Sequence, residues 1–317
     1  YFNCSMSKIK PLSSMTTPRF ADLATFFRLP IEKDLSKLDY CICGIPWDGG
    51  TTNRPGARHG PREVRNASSM VRLYHPVSLK SPYDKFNVAD IGDCPVNPAD
   101  LNDSLYKIEN FFKNIRDSQT IPLSIGGDHL ISLPILRGIK KDKPIGLFQF
   151  DSHSDTWDTY FGGYKYTHGT PFRRAIEENL IDPKKYVILG LRGSLYDPDD
   201  LNWAHDQGVT IITIDEYYEI GFKKCVEKIY KVLENTNTYF TFDIDGIDPT
   251  FAPGTGTPEV GGFTVRESQL IIRALNKINF IGGDVVEVSP PFDVNNLTSH
   301  VAANIAFEML CTMTKTN

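Results

Sequence analysis

From about residue 40 to its end, the chain alternates short, continuously apolar runs with longer amphipathic stretches. β-Branched and aromatic residues dominate the runs at 40–45, 86–91, 121–125, 145–150, 186–191, 209–213, 238–242 and 283–288. Helical patterns fall between them at about 61–74, 101–115, 130–139, 171–179, 198–207, 222–234 and 265–278, and a last one at 299–312 closes the chain. Strands apolar on both faces, each followed by a helix, specify βαβ units and a mainly parallel sheet covered on both sides. Eight such strands suit a closed (β/α)8 barrel or an open doubly wound sheet, and periodicity alone does not separate the two. No Pro/Ser-rich linker and no repeat of solenoid length interrupts the pattern. The expectation is one domain over residues 21–317 behind a mobile leader at 1–20.

Composition removes several classes of function. Lys plus Arg total 34 and Asp plus Glu 39, a formal charge of −5 over 317 residues, which argues against a nucleic-acid binder with an overall basic surface. Hydrophobic residues make up 40% of the chain, enough for a large core, yet no apolar run approaches the roughly 18–20 residues of a membrane span. The six cysteines are scattered without a CxxC pair, and Cys41 and Cys43 flank Ile42 as two thiols on one strand face. That usage fits a reducing compartment, the cytoplasm or an organelle.

Three acidic and histidine clusters each follow the end of a predicted strand. They are Gly126-Gly127-Asp128-His129, Asp151-Ser152-His153-Ser154-Asp155, and Asp243-Ile244-Asp245-Gly246-Ile247-Asp248. In extended chain, residues two apart face the same side, so Asp151, His153 and Asp155 converge, as do Asp243 and Asp245. A single Asp-x-Asp is commonly just a turn or a helix cap. Three clusters at the carboxyl ends of parallel strands occupy the place where such sheets bind ligands. Four carboxylates crowded there would repel one another, and a cation relieves that repulsion. Asp151, Asp155, Asp243, Asp245, His129 and His153 are too many ligands for one structural zinc. An oxygen-rich set with two imidazoles fits a pair of harder divalent ions, Mn2+ foremost and Ni2+ as an alternative.

At these residues the chain resembles the ureohydrolases, the family of arginase, agmatinase, guanidinobutyrase, guanidinopropionase and proclavaminate amidinohydrolase. The motifs are GIPWDGGTTNRPGARHGPREVR (44–65), GGDH (126–129), FDSHSDT (150–156), THGTPFRRA (167–175), FDIDGIDPTFAPGTGTPEVGG (242–262) and VVEVSPPFD (285–293). The resemblance implies a three-layer α/β/α arginase-like fold around an eight-stranded mainly parallel sheet, in favour of the open sheet. It implies hydrolysis of a guanidino group to urea and an amine at two Mn2+ per subunit, within a homo-trimer or homo-hexamer. Position by position, it implies His129, Asp151, Asp155 and Asp243 on one metal, and Asp151, His153, Asp243 and Asp245 on the other. Glu287 would grip the guanidinium, and His168 would carry protons together with Asp155. The residue chemistry agrees: Glu287 ends an apolar strand, where a planar guanidinium satisfies a carboxylate bidentately, and a histidine exchanges protons near neutral pH.

Substrate identity rests on fewer residues. The likeness leans to the guanidinopropionase and guanidinobutyrase branch, hence to a short ω-guanidino acid, and Tyr160 follows that branch. Trp157 departs from it, because relatives commonly carry Asn there, which keeps agmatine and free guanidine as alternatives. Arg54, Arg58 and Arg65 are candidates to bind a carboxylate tail. A non-catalytic, metal-stabilised guanidino-binding protein is the alternative of another class, although no ligand and no Glu287 is missing. A single-zinc deacetylase of similar architecture would lack the Asp-rich 243–248 segment.

Overall fold

In the computed structural model, residues 9–317 are described. The strands are β1 (Tyr40–Ile45), β2 (Val88–Asp93), β3 (Ile121–Gly126), β4 (Ile145–Phe150), β5 (Ile181–Leu191), β6 (Thr210–Thr213), β7 (Asn237–Asp243) and β8 (Asn279–Val286). The helices are α1 (Gly60–Ser68), α2 (Leu101–Asp117), α3 (Ser132–Ile139), α4 (Pro171–Glu177), α5 (Asn202–Gln207), α6 (Ile214–Leu233), α7 (Val265–Ala274) and α8 (Leu297–Met313). One sheet runs β2-β1-β3-β8-β7-β4-β5-β6, and all of its pairings are parallel. It is the open sheet, wholly rather than mainly parallel.

Alternate side chains of each strand enter different cores. Ile42, Leu123, Phe148, Phe150, Phe240 and Phe242 pack with α1, α6, α7 and α8 on one face. Cys41, Cys43, Leu147, Ile188 and Tyr239 pack with α2, α3, α4 and α5 on the other. The two thiols flanking Ile42 therefore share a face, as the sequence suggested. Within the first core Phe150 stacks on Phe242, with ring centroids 4.4 Å apart, which sets β4 against β7 directly beneath the candidate ligands.

Local chemistry fixes the helix ends. Asp100 caps α2 by accepting from Asp103 N, and Thr264 with Glu267 closes a reciprocal capping box on α7. The pattern predicted over 61–74 yields a helix only to Ser68, because the segment beyond it turns. The pattern at 222–234 belongs to a helix that begins eight residues earlier and kinks at Gly221, whose φ is +77°. The strand expected at 283–288 ends at Val286, which leaves Glu287 just outside the ladder at φ +64°. Of the leader, residues 1–8 lie outside the described residues. Residues beyond them are tied down by Arg28, which donates to Ser14 Oγ and to the carbonyls of Thr17 and Pro18.

Strand order reverses between β3 and β4. They are consecutive in the chain but separated in the sheet by β8 and β7. Open parallel sheets bind ligands outside the carboxyl ends of their strands at such a reversal.

Candidate metal centre and active site

The loops leaving β3, β4, β7 and β8 meet at that point. After β3, a Cβ on Gly127 would stand 2.5 Å from Trp47 O and 2.6 Å from Ile45 O at φ +61°, so this turn requires glycine. Asp128 then caps the turn His129–Ile131 and accepts from Gly50 N at 2.6 Å. Burial, reinforced by Glu287, pushes its carboxyl up to about 8. After β7, Asp243 accepts from Asp245 N at 2.8 Å, so the Asp-x-Asp is a capped turn that also presents two carboxylates. Asp155 reaches the site from a left-handed backbone, φ +51°, rather than by the strand alternation expected of it.

Two groups of ligand atoms result, each within 4.8 Å of one another: His129, Asp151, Asp155 and Asp243, and Asp151, His153 and Asp245. All six expected ligands are brought together. Asp151 is common to both groups, whereas Asp243, expected to bridge as well, falls in the first alone. In the first group, His129 Nδ1 lies 3.2 Å from Asp151, 2.8 Å from Asp155 and 3.1 Å from Asp243. It is nonetheless a buried nitrogen without a well-directed hydrogen bond. In the second, His153 Nδ1 lies 3.1 Å from Asp245 Oδ2.

The electrostatics are those of a site that favours a cation. Burial and then Asp245 and Asp151 drive the Asp243 carboxyl well above the usual carboxylate range. Burial and Asp151 lift Asp155 to about 6. Burial acts the same way on Asp151, but His129 and His153 outweigh it and hold this carboxyl low. An orphaned imidazole nitrogen facing three carboxylates, in an oxygen-rich set, fits a divalent metal ion.

Residues behind the ligands aim them. His129 Nε2 lies 2.7 Å from Thr241 Oγ1, whose hydroxyl donates to Asp284 at 2.6 Å; Asp284 also accepts from Ser132 at 2.7 Å and Tyr239 at 2.9 Å. With the Thr241 proton committed to Asp284, His129 Nε2 is the donor in its pair, and its Nδ1 lone pair points at the ligand group. Gln149 donates to Asp151 at 2.6 Å, and Ser152 Oγ donates to Asp245 at 2.6 Å.

His168 and Glu287 meet on the cleft wall. His168 Nδ1 lies 2.8 Å from Glu287 Oε1, and its Nε2 lies 2.7 Å from Thr52 Oγ1. Burial disfavours charge on this ring, but Glu287 outweighs burial and raises it to about 9. Glu287 Oε1 also accepts from His129 N at 2.8 Å, while Oε2 has no hydrogen-bond partner among the described residues.

Above these groups opens a cleft of about 710 Å³ whose lining includes Trp157, Tyr160, Tyr196, Thr257, Glu259 and Arg54. Trp157 packs edge-on against Tyr160 and Tyr196, with centroids 6.3 and 5.4 Å away. Of the three arginines proposed for a substrate tail, Arg58 pairs with Asp48, and Arg65 pairs with Asp90 and Asp93. Arg54 donates to Thr255 O and Gly256 O through Nη2 and Nε, which leaves Nη1 without a partner among the described residues.

Sequence reasoning missed Asp128, Thr52, Thr241, Asp284 and Glu259. Two had a signal: Thr241 stands two residues before Asp243 on the same strand face, and Asp284 is a charge inside an apolar strand.

This arrangement defines a metal-dependent hydrolase of the arginase family, and a sequence model described as "Arginase family" matches residues 38–311. The chain belongs to that family, so the likeness to ureohydrolases read from its motifs is borne out. Among its relatives, it is 52% identical to guanidinopropionase of Pseudomonas aeruginosa over 302 residues, covering 95% of each chain. It is 42% identical to guanidinobutyrase of the same organism, covering 96% of each. The structure superposes on proclavaminate amidino hydrolase from Streptomyces clavuligerus with a TM-score of 0.91 at 36% identity, over 95% of this chain and 100% of that one.

Proposed function

We propose that the chain hydrolyses a short ω-guanidino acid, 3-guanidinopropionate or 4-guanidinobutyrate, to urea and the corresponding amino acid. The observation that carries this reading is one cleft holding two ligand groups joined at Asp151, with the His168–Glu287 pair on its wall.

His129, Asp151, Asp155 and Asp243 would hold one divalent ion, and Asp151, His153 and Asp245, with Asp243, the second. Two such ions, Mn2+ in our reading, would supply a water acidic enough to ionise near neutral pH and positive charge beside the guanidino carbon. Glu287 Oε2 accepts a guanidinium N–H and orients the flat group for attack, which supplies proximity. Bidentate grip also requires Oε1, so the guanidinium competes with His168 for that oxygen. His168, released and protonated, delivers its proton to the departing nitrogen, while Asp155 takes up the proton of the attacking water. The carbon–nitrogen bond to the tail breaks, giving urea and an amine. Trp157 and Tyr160 narrow the approach, and Arg54 Nη1 is the nitrogen available to the tail carboxylate.

Urea release by Mn2+- and Ni2+-loaded protein from 3-guanidinopropionate, 4-guanidinobutyrate, agmatine, arginine and guanidine tests the reading. A guanidino acid should have the highest kcat/KM. Preference for agmatine or guanidine removes the acid assignment, and no urea from any compound removes the catalytic one. The homo-trimer or homo-hexamer remains part of the proposal and is read by light scattering.

A further inference from the structure

The two histidines of the ligand groups are backed differently. His129 is 1% exposed and finds an internal partner chain through Thr241, whereas the His153 side chain is 29% exposed and faces the cleft. Its Nδ1 serves the ligand side. On the other side of the ring, Nε2 lies 3.9 Å from Glu259 Oε1 and has no hydrogen-bond partner among the described residues. That distance is an ion-pair separation, closed by a small side-chain rotation or bridged by one water.

Several features show that Glu259 is built into this position. Its carboxylate lies against Gly193, where a Cβ would stand 2.6 Å from the carboxyl carbon and 2.7 Å from Oε2 at φ +83°. Any side chain at 193 would displace it. Arg192, next in the chain, spends its guanidinium on backbone: Nη2 donates to Glu259 O at 2.7 Å and to Asp245 O at 2.7 Å. The Arg192 backbone N donates to Ser152 O at 3.0 Å. One residue thereby fastens together the loops that carry His153, Asp245 and Glu259.

We propose that Glu259 is the positioning residue for His153. It accepts the Nε2 proton, fixes the imidazole with its Nδ1 lone pair toward Asp245 and Asp151, and so sustains the second of the two metal positions. The inference rests on the binuclear reading of the site. A carboxylate behind a metal-binding histidine orients the ring and raises its basicity, and its loss typically costs about 10–100-fold in metal affinity.

The test is a Mn2+ titration of wild type, Glu259→Gln and Glu259→Ala, followed by metal analysis and by the electron-spin signal that two coupled Mn2+ ions give. Wild type should bind two ions per chain. Glu259→Ala should keep one at wild-type affinity and bind the other at least about tenfold more weakly, with Glu259→Gln between them. At saturating Mn2+, the variants should regain turnover with KM unchanged. Gly193→Ala, which displaces the carboxylate without removing it, should weaken the same ion, with circular dichroism showing the fold intact. If wild type binds fewer than two ions, the binuclear reading fails and this inference with it. If wild type binds two and Glu259→Ala binds both as tightly, the inference alone is overturned. A raised KM at full occupancy overturns it too, by placing Glu259 on the substrate.

Discussion

His168 Nδ1 sits 2.8 Å from Glu287 Oε1, and the far side of the same ring is held 2.7 Å from Thr52 Oγ1. The residues proposed as proton carrier and guanidinium anchor are thus one interacting pair in the structure. In metal-free protein the His168 ring keeps its proton up to about pH 9, against about 6.5 in an unfolded chain. The pair therefore stabilises the fold fully below about pH 6.5, and that contribution is lost as pH rises toward about 9. Glu287→Gln should return the ring toward its ordinary value and abolish urea release while metal content stays. An unmoved His168 resonance in an NMR titration of that variant would break the argument.

Asp151 is shared by both ligand groups. Asp151→Asn should lose both ions and all turnover, whereas Asp245→Asn, confined to the second group, should leave one ion bound. Metal analysis after gel filtration distinguishes these outcomes, and an Asp151→Asn protein with full metal and activity contradicts the assignment.

Thr241 relays the hold of Asp284 onto His129 through contacts of 2.7 and 2.6 Å. Thr241→Val removes the hydroxyl and strands two buried groups, each worth about 1–3 kcal/mol when unsatisfied. Mn2+ affinity should fall about 10–100-fold, with the melting temperature also lowered. Thr241→Ser should preserve both. Equal behaviour of the two variants would separate Thr241 from the ligand.

Trp157 narrows the cleft between Tyr160 and Tyr196. Trp157→Asn should raise the kcat/KM ratio of 4-guanidinobutyrate to 3-guanidinopropionate by about tenfold, the scale of one methylene in a closed pocket. Competition kinetics with both compounds measure that ratio, and an unchanged value means that the indole does not select tail length.

Burial pushes the thiols of Cys43, Cys225 and Cys311 up to about 12. A Cys4→Ser protein at pH 8 should react with none of its thiols until denatured. Unfolded thiols ionise near pH 8.5, so above that value the unfolded state binds fewer protons than the native one. Stability should fall with rising pH, by up to about 1.4 kcal/mol per unit for each such thiol. A flat denaturation midpoint between pH 8 and 10 counts against this accounting.

The alternation of apolar and amphipathic runs made the parallel sheet and the clusters at its strand ends readable, because both follow from periods written into the chain. It left barrel and open sheet unresolved, since closure depends on which strands pair, and here β3 pairs with β8 across more than 150 residues. The six candidate ligands were legible as residue types at strand ends. Of the groups behind them, Thr241 and Asp284 left only a faint signal, a shared strand face and a charge in an apolar run, and Thr52 left none, because such residues acquire their roles only from what folds against them. Glu287 was placed within a strand, and the ladder in fact stops one residue short, which frees its side chain for the cleft.

The separation of β3 from β4 by two late strands bears on biosynthesis. While the chain emerges from the ribosome, residues up to 150 already carry His129 and the strand that delivers Asp151. The space between those strands is filled only when β7 and β8, residues 237–286, slot in from the far end of the message. Asp243, Asp245 and Glu287 arrive with them or immediately after. A polypeptide cut short before β7 therefore lacks Asp243 and Asp245, and neither of the two proposed ligand groups is complete in it.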